Sequence, residues 1–333
     1  MNVLVTGAAG YVGSVCAEVL LARGHKVVAL DNLAEGHRRA VPQQALFWKC
    51  DLADRNRLDR AFRSHPIDAV MHFAGESRVE KSVQEPSTFY YANIACGVNL
   101  LDAMVRHSVK RFIFSSTAAV YGEPEIVPIP EEHPASPVNP YGRTKLLFEQ
   151  ILEDYRACAG LQYVSLRYFN AAGASDTRGE NHRDESHLVP RLLEVALGQR
   201  ERIEVNGNDY ATPDGTCIRD YVHISDIAEA HVLALAQLDS VAGQALNVGN
   251  SRGYSVLEVL ETARRVTGKP VPAVVGPRRP GDPAVLVASS EKIRRVLGWQ
   301  SRLSSLESIV ETAWAWKQKF PRGYTGKKKK PRA

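Results

Sequence analysis

The sequence predicts an α/β protein, a doubly wound parallel sheet with a smaller C-terminal α/β lobe. Three observations lead there. Short apolar, β-branched runs alternate with helical patterns through the first half of the chain, as buried parallel strands and their crossover helices do. The first of these runs enters its helix through a glycine-rich turn. The chain is also long enough, at 333 residues, for one large lobe and one smaller one around a sizeable core.

NVLVTG, from residue 2, reads as the first strand and runs into GAAGYVG, with Gly7, Gly10 and Gly13, then the helical SVCAEVLLARG and a second strand, KVVALD, ending at Asp31. Glycines at the first turn of such a βαβ unit make the fold Rossmann-like. Backbone N–H groups at the helix start must approach a pyrophosphate there, and the helix dipole favours the same anion. Asp31 stands where a carboxylate accepts ribose hydroxyls and repels a 2′-phosphate, so NAD is expected rather than NADP. ALFWKCDL (45–52), DAVMHFAG (68–75) and RFIFSST (111–117) continue the alternation. Phe73, Ala74 and Gly75 are expected to pass beneath the phosphates and ribose. Asp51 has two readings, a contact to adenine and the N-cap of the next helix.

SSTAAVYG, residues 115–122, places three hydroxyls and then two methyl groups at a strand end. NPYGRTKLLFEQILEDY follows, a helix from about Pro140 with Leu146, Leu147, Ile151 and Leu152 as its expected buried stripe. Tyr141 and Lys145, four apart, share one face. Bringing a tyrosine from its reference value of ~10 to neutral pH takes roughly 4 kcal/mol of interaction with positive charge. The lysine ammonium and a nicotinamide ring supply charge of that sign.

Composition narrows the class. The chain is 44% hydrophobic and 24% charged, with 42 Lys+Arg against 37 Asp+Glu. Five of the bases, Lys327–Lys330 and Arg332, lie in the tail GKKKKPRA, expected to be a solvated extension over 326–333. Without them the balance is neutral, so no nucleic-acid partner is expected. No apolar run approaches the ~20 residues of a spanning helix, and the chain opens directly on a strand, so no membrane partner and a cytoplasmic location are expected. Five cysteines without close pairs argue against a disulfide framework.

TGAAGYVG, the strand-end SST and YGRTK together resemble the extended short-chain dehydrogenase/reductases. That resemblance implies Thr117, Tyr141 and Lys145 as the catalytic set, Lys145 also holding the nicotinamide ribose. It adds Tyr11, Val12, Asn32, Leu52, Asn93, Ser115 and Tyr168 to the cofactor contacts. LRYFNAAGA (166–174), HLVP (187–190), NGNDYATPDGTCIRDYVHISDIA (206–228), LNVGN (246–250) and RRPGDPA (278–284) follow in order. With DNL at 31–33 and HFAG at 72–75 they closely resemble one family of that superfamily, the UDP-glucose (UDP-galactose) 4-epimerases, up to about residue 324.

This resemblance implies reversible inversion of the 4-hydroxyl of a UDP-hexose through a transient 4-keto sugar, with NAD tightly bound. Related dehydratases carry an acid pair where Ala118 and Ala119 stand, so no elimination is expected here. Arg219 and Arg279 are implied on the diphosphate, Asn170 on a phosphate oxygen and Asp282 on the uridine ribose. Leu188, Val205 and Asn206 are implied around uracil. For Arg219 an ion pair with Asp220 or Asp226 is the alternative. His187 is read as a hydrogen-bond donor to substrate, and no metal is expected, because His182 and His187, five apart in a polar loop, do not make a site. The family's lysine two residues after HFAG is replaced by Ser77, with Arg78 adjacent. Leu286 takes the gate beside the sugar 2-position, so another UDP sugar, an N-acetylhexosamine or a pentose, stays open as the alternative.

The expected lobes are 1–169 plus about 221–250 for NAD, and 170–220 with 251–325 for the UDP sugar. Proline- and glycine-rich loops near 121–140 and 206–216 are expected to be mobile edges of the cleft. The family's homodimer is expected through ANIACGVNLLDAMVRH and KLLFEQILEDYRAC.

Overall fold

The computed structural model of the chain describes residues 1–279 and 281–325; the basic tail at 326–333 lies outside the described residues. Seven strands form one wholly parallel sheet: β1 (Asn2–Thr6), β2 (Lys26–Asp31), β3 (Leu46–Lys49), β4 (Ala69–His72), β5 (Arg111–Thr117), β6 (Gln162–Tyr168) and, later in the chain, β10 (Gln244–Val248). Their spatial order is β10-β6-β5-β4-β1-β2-β3. The order reverses beside β1, and in such sheets ligands bind at the carboxyl edge of that switch point. Two large apolar clusters pack the two faces. One gathers Val3, Val5, Leu20, Ile113 and Leu246; the other gathers Leu4, Leu58, Leu100, Phe112 and Phe148.

The smaller lobe is built on β7 (Asn170–Ala172), β8 (Ile203–Asn206), β9 (Ile218–His223), β11 (Gly253–Ser255), β12 (Ala273–Gly276) and β13 (Val285–Leu286). Strand β9 lies at its centre, bonded to β7, β11 and β13, while β8 pairs with β12. The return to the large sheet expected from residue 221 begins at Ile224, because β9 runs on to His223 in the small sheet. The helix Ile224–Ala236 then packs on the helix Tyr11–Ala22. The C-terminal stretch is divided as well: Ile293, Leu297 and Trp299 enter the large-sheet core, whereas Ile309, Val310 and Trp314 pack in the small lobe.

The helix Pro140–Ala159 carries Tyr141 and Lys145. Asn139 caps it by accepting from the Gly142 N–H at 2.9 Å, Pro140 occupies its first turn, and Gly160 ends it in the left-handed region at φ 66°. Its buried face is Gly142, Thr144, Lys145, Phe148 and Leu152, so of the expected stripe only Leu152 is fully buried. Leu147 points outward, and Leu146 and Ile151 are half-buried. The chemistry explains the rotation: Lys145 must face the sheet, and that turns the leucines partly away. The loop 121–139 is also tied down rather than free. Ile129 is fully buried and bonds both ways to the segment near Ala288, its N–H to Val287 and its carbonyl from Ser289, each at 2.8 Å.

Behind this helix lies a buried polar network. Arg167 on β6 binds Glu149 through Nε at 3.0 Å and Nη2 at 2.5 Å, and donates to the Tyr121 hydroxyl at 3.1 Å. Tyr121 passes the chain on to Asn247 of β10 at 2.7 Å. Burial disfavours the Arg167 charge, but Glu149 more than restores it and holds the guanidinium above its ordinary value. Replacing Arg167 by Leu leaves a buried carboxylate without its cation, and such losses cost about 3–5 kcal/mol. Urea unfolding of Arg167→Leu is expected to show a loss of that size; a loss below about 1 kcal/mol, the range of exposed pairs, would contradict the network's role.

Candidate active site

The carboxyl edge of the large sheet gathers the residues expected to meet a dinucleotide. Gly7 sits at φ 69°, and a Cβ there would lie 2.6 Å from the Ala74 nitrogen. A Cβ on Gly13 would lie 2.3 Å from the Gly7 oxygen. The turn therefore stacks backbone on backbone and leaves a cradle that side chains would fill. Gly10 precedes the helix Tyr11–Ala22 without a side-chain cap, so its first N–H groups remain available to an anion. The Tyr11 hydroxyl donates to the Gly173 carbonyl at 2.6 Å, and Val12 packs in the core beside it.

Asp31 closes β2 with its carboxylate accepting from the Ala9 N–H at 2.9 Å and the Leu33 N–H at 2.7 Å. Burial lifts this carboxyl above the ordinary range, and the two N–H bonds pull it back. Asn32 donates to Asp51 at 2.9 Å, while Asp51 also accepts from the Ala53 N–H. The helix cap proposed as the alternative for Asp51 belongs instead to Asp54, which accepts from the Arg57 N–H. Asp51 thus keeps its place at the edge, next to buried Leu52. Asn93 lies in a π-helical turn at Tyr91–Ala95, a feature frequent at functional sites. It holds Glu76 through both backbone groups and donates to Thr144 at 2.9 Å, so it fixes the stretch after Gly75 against the catalytic helix.

Thr117, Tyr141 and Lys145 come together at the end of β5. Lys145 Nζ donates to the Ser115 carbonyl at 2.8 Å and lies 4.9 Å from the Phe114 ring centre and 5.9 Å from that of Tyr141. The Ser115 and Tyr168 hydroxyls are bonded to each other. Burial raises the Tyr141 phenol above its ordinary value, against which its hydrogen bond with Thr117 works. Burial lowers Lys145 to about 8, opposed by the Glu149 carboxylate one turn further on. Sequence reasoning passed over Glu149, although its spacing from Lys145 was the available signal.

The small lobe presents Asn170 on β7, Val205 and Asn206 on β8, Arg219 on β9 and Leu286 on β13. Arg219 pairs with Asp282 and donates to the Ile218 and Pro283 carbonyls. Neither Asp220 nor Asp226 is its partner: Asp220 accepts backbone N–H groups from Asn250, Ser251 and Ala288, and Asp226 accepts from Leu303 and Ser304. Arg279 reaches Glu80 of the large lobe at 2.7 Å. Arg78, beside Ser77, bridges Asp184 at 2.9 Å and Glu35 at 3.4 Å. Leu286 packs in a small apolar cluster with Ala118 and Tyr121. His187 precedes Leu188 at the start of a helix, but its ring is engaged by Glu180 and Glu185 rather than held free.

A profile of the NAD dependent epimerase/dehydratase family matches residues 3–249. The chain belongs to that family. It is 50% identical over 333 residues to a UDP-glucose 4-epimerase of Halalkalibacterium halodurans, covering 99% of both chains. A crystal structure of a UDP-glucose 4-epimerase superposes with a TM-score of 0.95 at 46% identity, covering 98% of this chain and 100% of that one. The Bifidobacterium longum UDP-glucose 4-epimerase, crystallised with NAD+ and UDP, gives a TM-score of 0.92 at 37% identity over 97% of this chain and 100% of that one.

As a member of this NAD-dependent family the chain should seat the nucleotide where the glycine cradle and Asp31 lie, and the residues there fit it. Gly13→Ala is expected to yield a folded protein with little bound nucleotide, read from the absorbance released on acid treatment; full occupancy would show that the cradle is not the site. The lysine gives a pH signature. Its folded value of about 8 lies below the ~10.4 of an unfolded chain, so between those limits the unfolded state holds more protons and stability rises with pH. In nucleotide-free protein, the advantage of wild type over Lys145→Met should therefore widen as pH climbs from 8. A constant or shrinking difference in urea unfolding would contradict the burial of this charge.

Proposed function

We propose that the chain interconverts UDP-galactose and UDP-glucose by inverting the sugar 4-hydroxyl, with NAD retained through the cycle. One observation carries this reading: a Thr117–Tyr141–Lys145 edge beside a dinucleotide cradle, followed by Ala118 and Ala119 where an eliminating acid would stand. Glu149, the nearest carboxylate on the catalytic helix, is committed to Arg167 and Ser116. NAD, when bound, supplies reversible hydride acceptance at the sugar carbon. Tyr141 takes the proton of the 4-hydroxyl and gives it back, Thr117 holds the same oxygen, and Lys145 favours the phenolate and binds the nicotinamide ribose. With no acid to expel a neighbouring hydroxyl, the oxidised sugar has only reduction open to it.

Arg219 and Arg279 are the cations for the diphosphate, assisted by Asn170. Asp282 serves the uridine ribose, and Leu188, Val205 and Asn206 enclose the base. This chemistry suits the UDP-glucose 4-epimerases that the chain resembles. Leu286 and Ala118 share an apolar cluster, and taken as the corner that meets the sugar it supports a plain hexose over an N-acetylated one. Pairing as a homodimer fits the outward Leu147 on the helix Pro140–Ala159 and Val105 on the neighbouring Cys96–Arg106. Five unpaired cysteines among the described residues suit a cytoplasmic location.

Proton NMR of the anomeric signals, in one tube holding UDP-galactose and UDP-N-acetylgalactosamine without added NAD, tests the reading. UDP-glucose should appear first, and Tyr141→Phe should slow it by about 10²–10⁴-fold while still carrying NAD. Conversion of the N-acetyl sugar at an equal rate would overturn the hexose preference. No conversion of either by the NAD-loaded protein would overturn the epimerase reading.

A further inference from the structure

The loop between β7 and the helix Leu188–Ala196 is built around four side chains that the proposed chemistry does not use. Glu180, His182, Glu185 and His187 each bring one donor atom to within 4.8 Å of all the others. His187 Nδ1 lies 2.9 Å from a Glu180 oxygen and 3.0 Å from a Glu185 oxygen. His182 Nδ1 lies 3.4 Å and 3.3 Å from oxygens of the same two residues. We propose that these four groups are a structural divalent-cation site, of the zinc type, which pins this loop across the nucleotide edge.

Without an ion the four groups pair as two imidazoles against two carboxylates, but each imidazole is shared rather than matched to one partner. An imidazole Nδ1 carries at most one proton, yet each of the two stands almost equally far from two different carboxylates. A common centre does account for it. Nitrogen and oxygen ligands placed tetrahedrally at ~2.0–2.1 Å from zinc are about 3.3 Å apart. The nitrogen–oxygen separations here run from 2.9 to 3.4 Å, with Glu185 facing His182 through one oxygen and His187 through the other, so a small closure of the set would seat an ion. Two carboxylates, two neutral imidazoles and one divalent ion also sum to no net charge. Glu180 is buried with a side chain only 7% exposed, whereas His187 stays 45% exposed and leaves an entry path. The backbone N–H groups of His182 and His187 donate to the two Glu185 oxygens and orient that carboxylate, as groups behind metal ligands do.

The sequence expectation of no metal weighed the two histidines by themselves; folding of the loop adds Glu180 and Glu185. The site would act on the nucleotide through what the loop touches. The carbonyl of Asn181 meets His37 Nε2 at 2.9 Å, Arg183 donates to the Leu33 carbonyl at 3.4 Å, and Asp184 pairs with Arg78. These partners follow Asp31 and Gly75, on the cofactor side. The far end of the loop leads directly into Leu188, on the uridine side. An ion at its centre would therefore stiffen a strap that both nucleotides need.

The test begins with the NAD-loaded protein as purified. Its metal content is measured by mass spectrometry, then the protein is chelated and titrated with Zn2+ while thermal unfolding and released NAD are followed. One equivalent per chain, a Zn2+-dependent rise in melting temperature, and nucleotide loss on chelation are expected. Co2+ in place of zinc should show the visible bands of a tetrahedral ion. The double variant His182→Gln, His187→Gln should bind Zn2+ at least tenfold more weakly. Wild-type protein that neither carries a divalent ion nor responds to Zn2+ overturns the proposal, whatever the variants do. So does Zn2+ affinity unchanged in the double variant, which would place the ion elsewhere.

Discussion

Lys145 carries an ammonium into a position that is 6% exposed, and the geometry of the catalytic edge follows from how that charge is tolerated. A buried cation with nothing to answer it costs several kcal/mol. Here the Ser115 carbonyl accepts from it, the Phe114 ring lies beneath it, and Glu149 stands one turn along the helix. The helix Pro140–Ala159 can reach that carbonyl in only one rotation. In that rotation Tyr141, a turn earlier, faces Thr117. Gly142 allows the approach, since a Cβ there would sit 2.5 Å from the Ala119 carbonyl oxygen. PYGRTK is thus one mechanical unit: a proline to start the helix, a glycine to let it lie close, and a lysine to lock its angle.

The small lobe keeps its cations in the same disciplined way. Arg219 is 8% exposed and is held by Asp282 and two carbonyls, so its guanidinium is desolvated and oriented before any anion arrives. Arg279 crosses the cleft to Glu80. Preorganised cations of this kind lose less freedom on binding than free side chains do, and on the proposed assignment a diphosphate would exchange one acid partner for another rather than draw a mobile arginine out of water. The ion pair between Arg279 and Glu80 also ties the lobes together.

Much of this was legible in the sequence because it is local. The parallel strands announced themselves as unbroken apolar runs, and β1, β2, β5 and the helix from Pro140 lie where their patterns put them. The juxtaposition of Thr117, Tyr141 and Lys145 could be read because Tyr141 and Lys145 are one turn apart and follow a hydroxyl-bearing strand end. What was not legible joins residues far apart in the chain. Arg167 to Glu149, Tyr121 to Asn247 and Arg219 to Asp282 have no periodic signature. The leucine stripe held only in part, with Leu152 buried and Leu147 turned outward, for a different reason: on that helix a charged residue, Lys145, chooses the buried face. Ile129 shows the same limit, because a proline- and glycine-rich loop reads as free until its partner strand, 158 positions away at Val287, is in place.

On the proposed function, a division of labour between the lobes would let one site reduce a sugar on the face opposite to the one it oxidised. Inversion requires the ring to present both faces to the same hydride carrier, so strong polar anchoring of the ring would defeat it. On the proposed assignment, the reacting position would meet two hydroxyls, Thr117 and Tyr141, and otherwise the apolar cluster that holds Ala118 and Leu286. On the same assignment charge is withheld from this corner and concentrated on Arg219 and Arg279, which would meet the remote end of the substrate. Binding energy drawn from the nucleotide can then hold the molecule while the sugar turns. Substituting an acid for Ala118 would work against that logic twice, by adding a polar anchor to the ring and by supplying the group that an elimination needs.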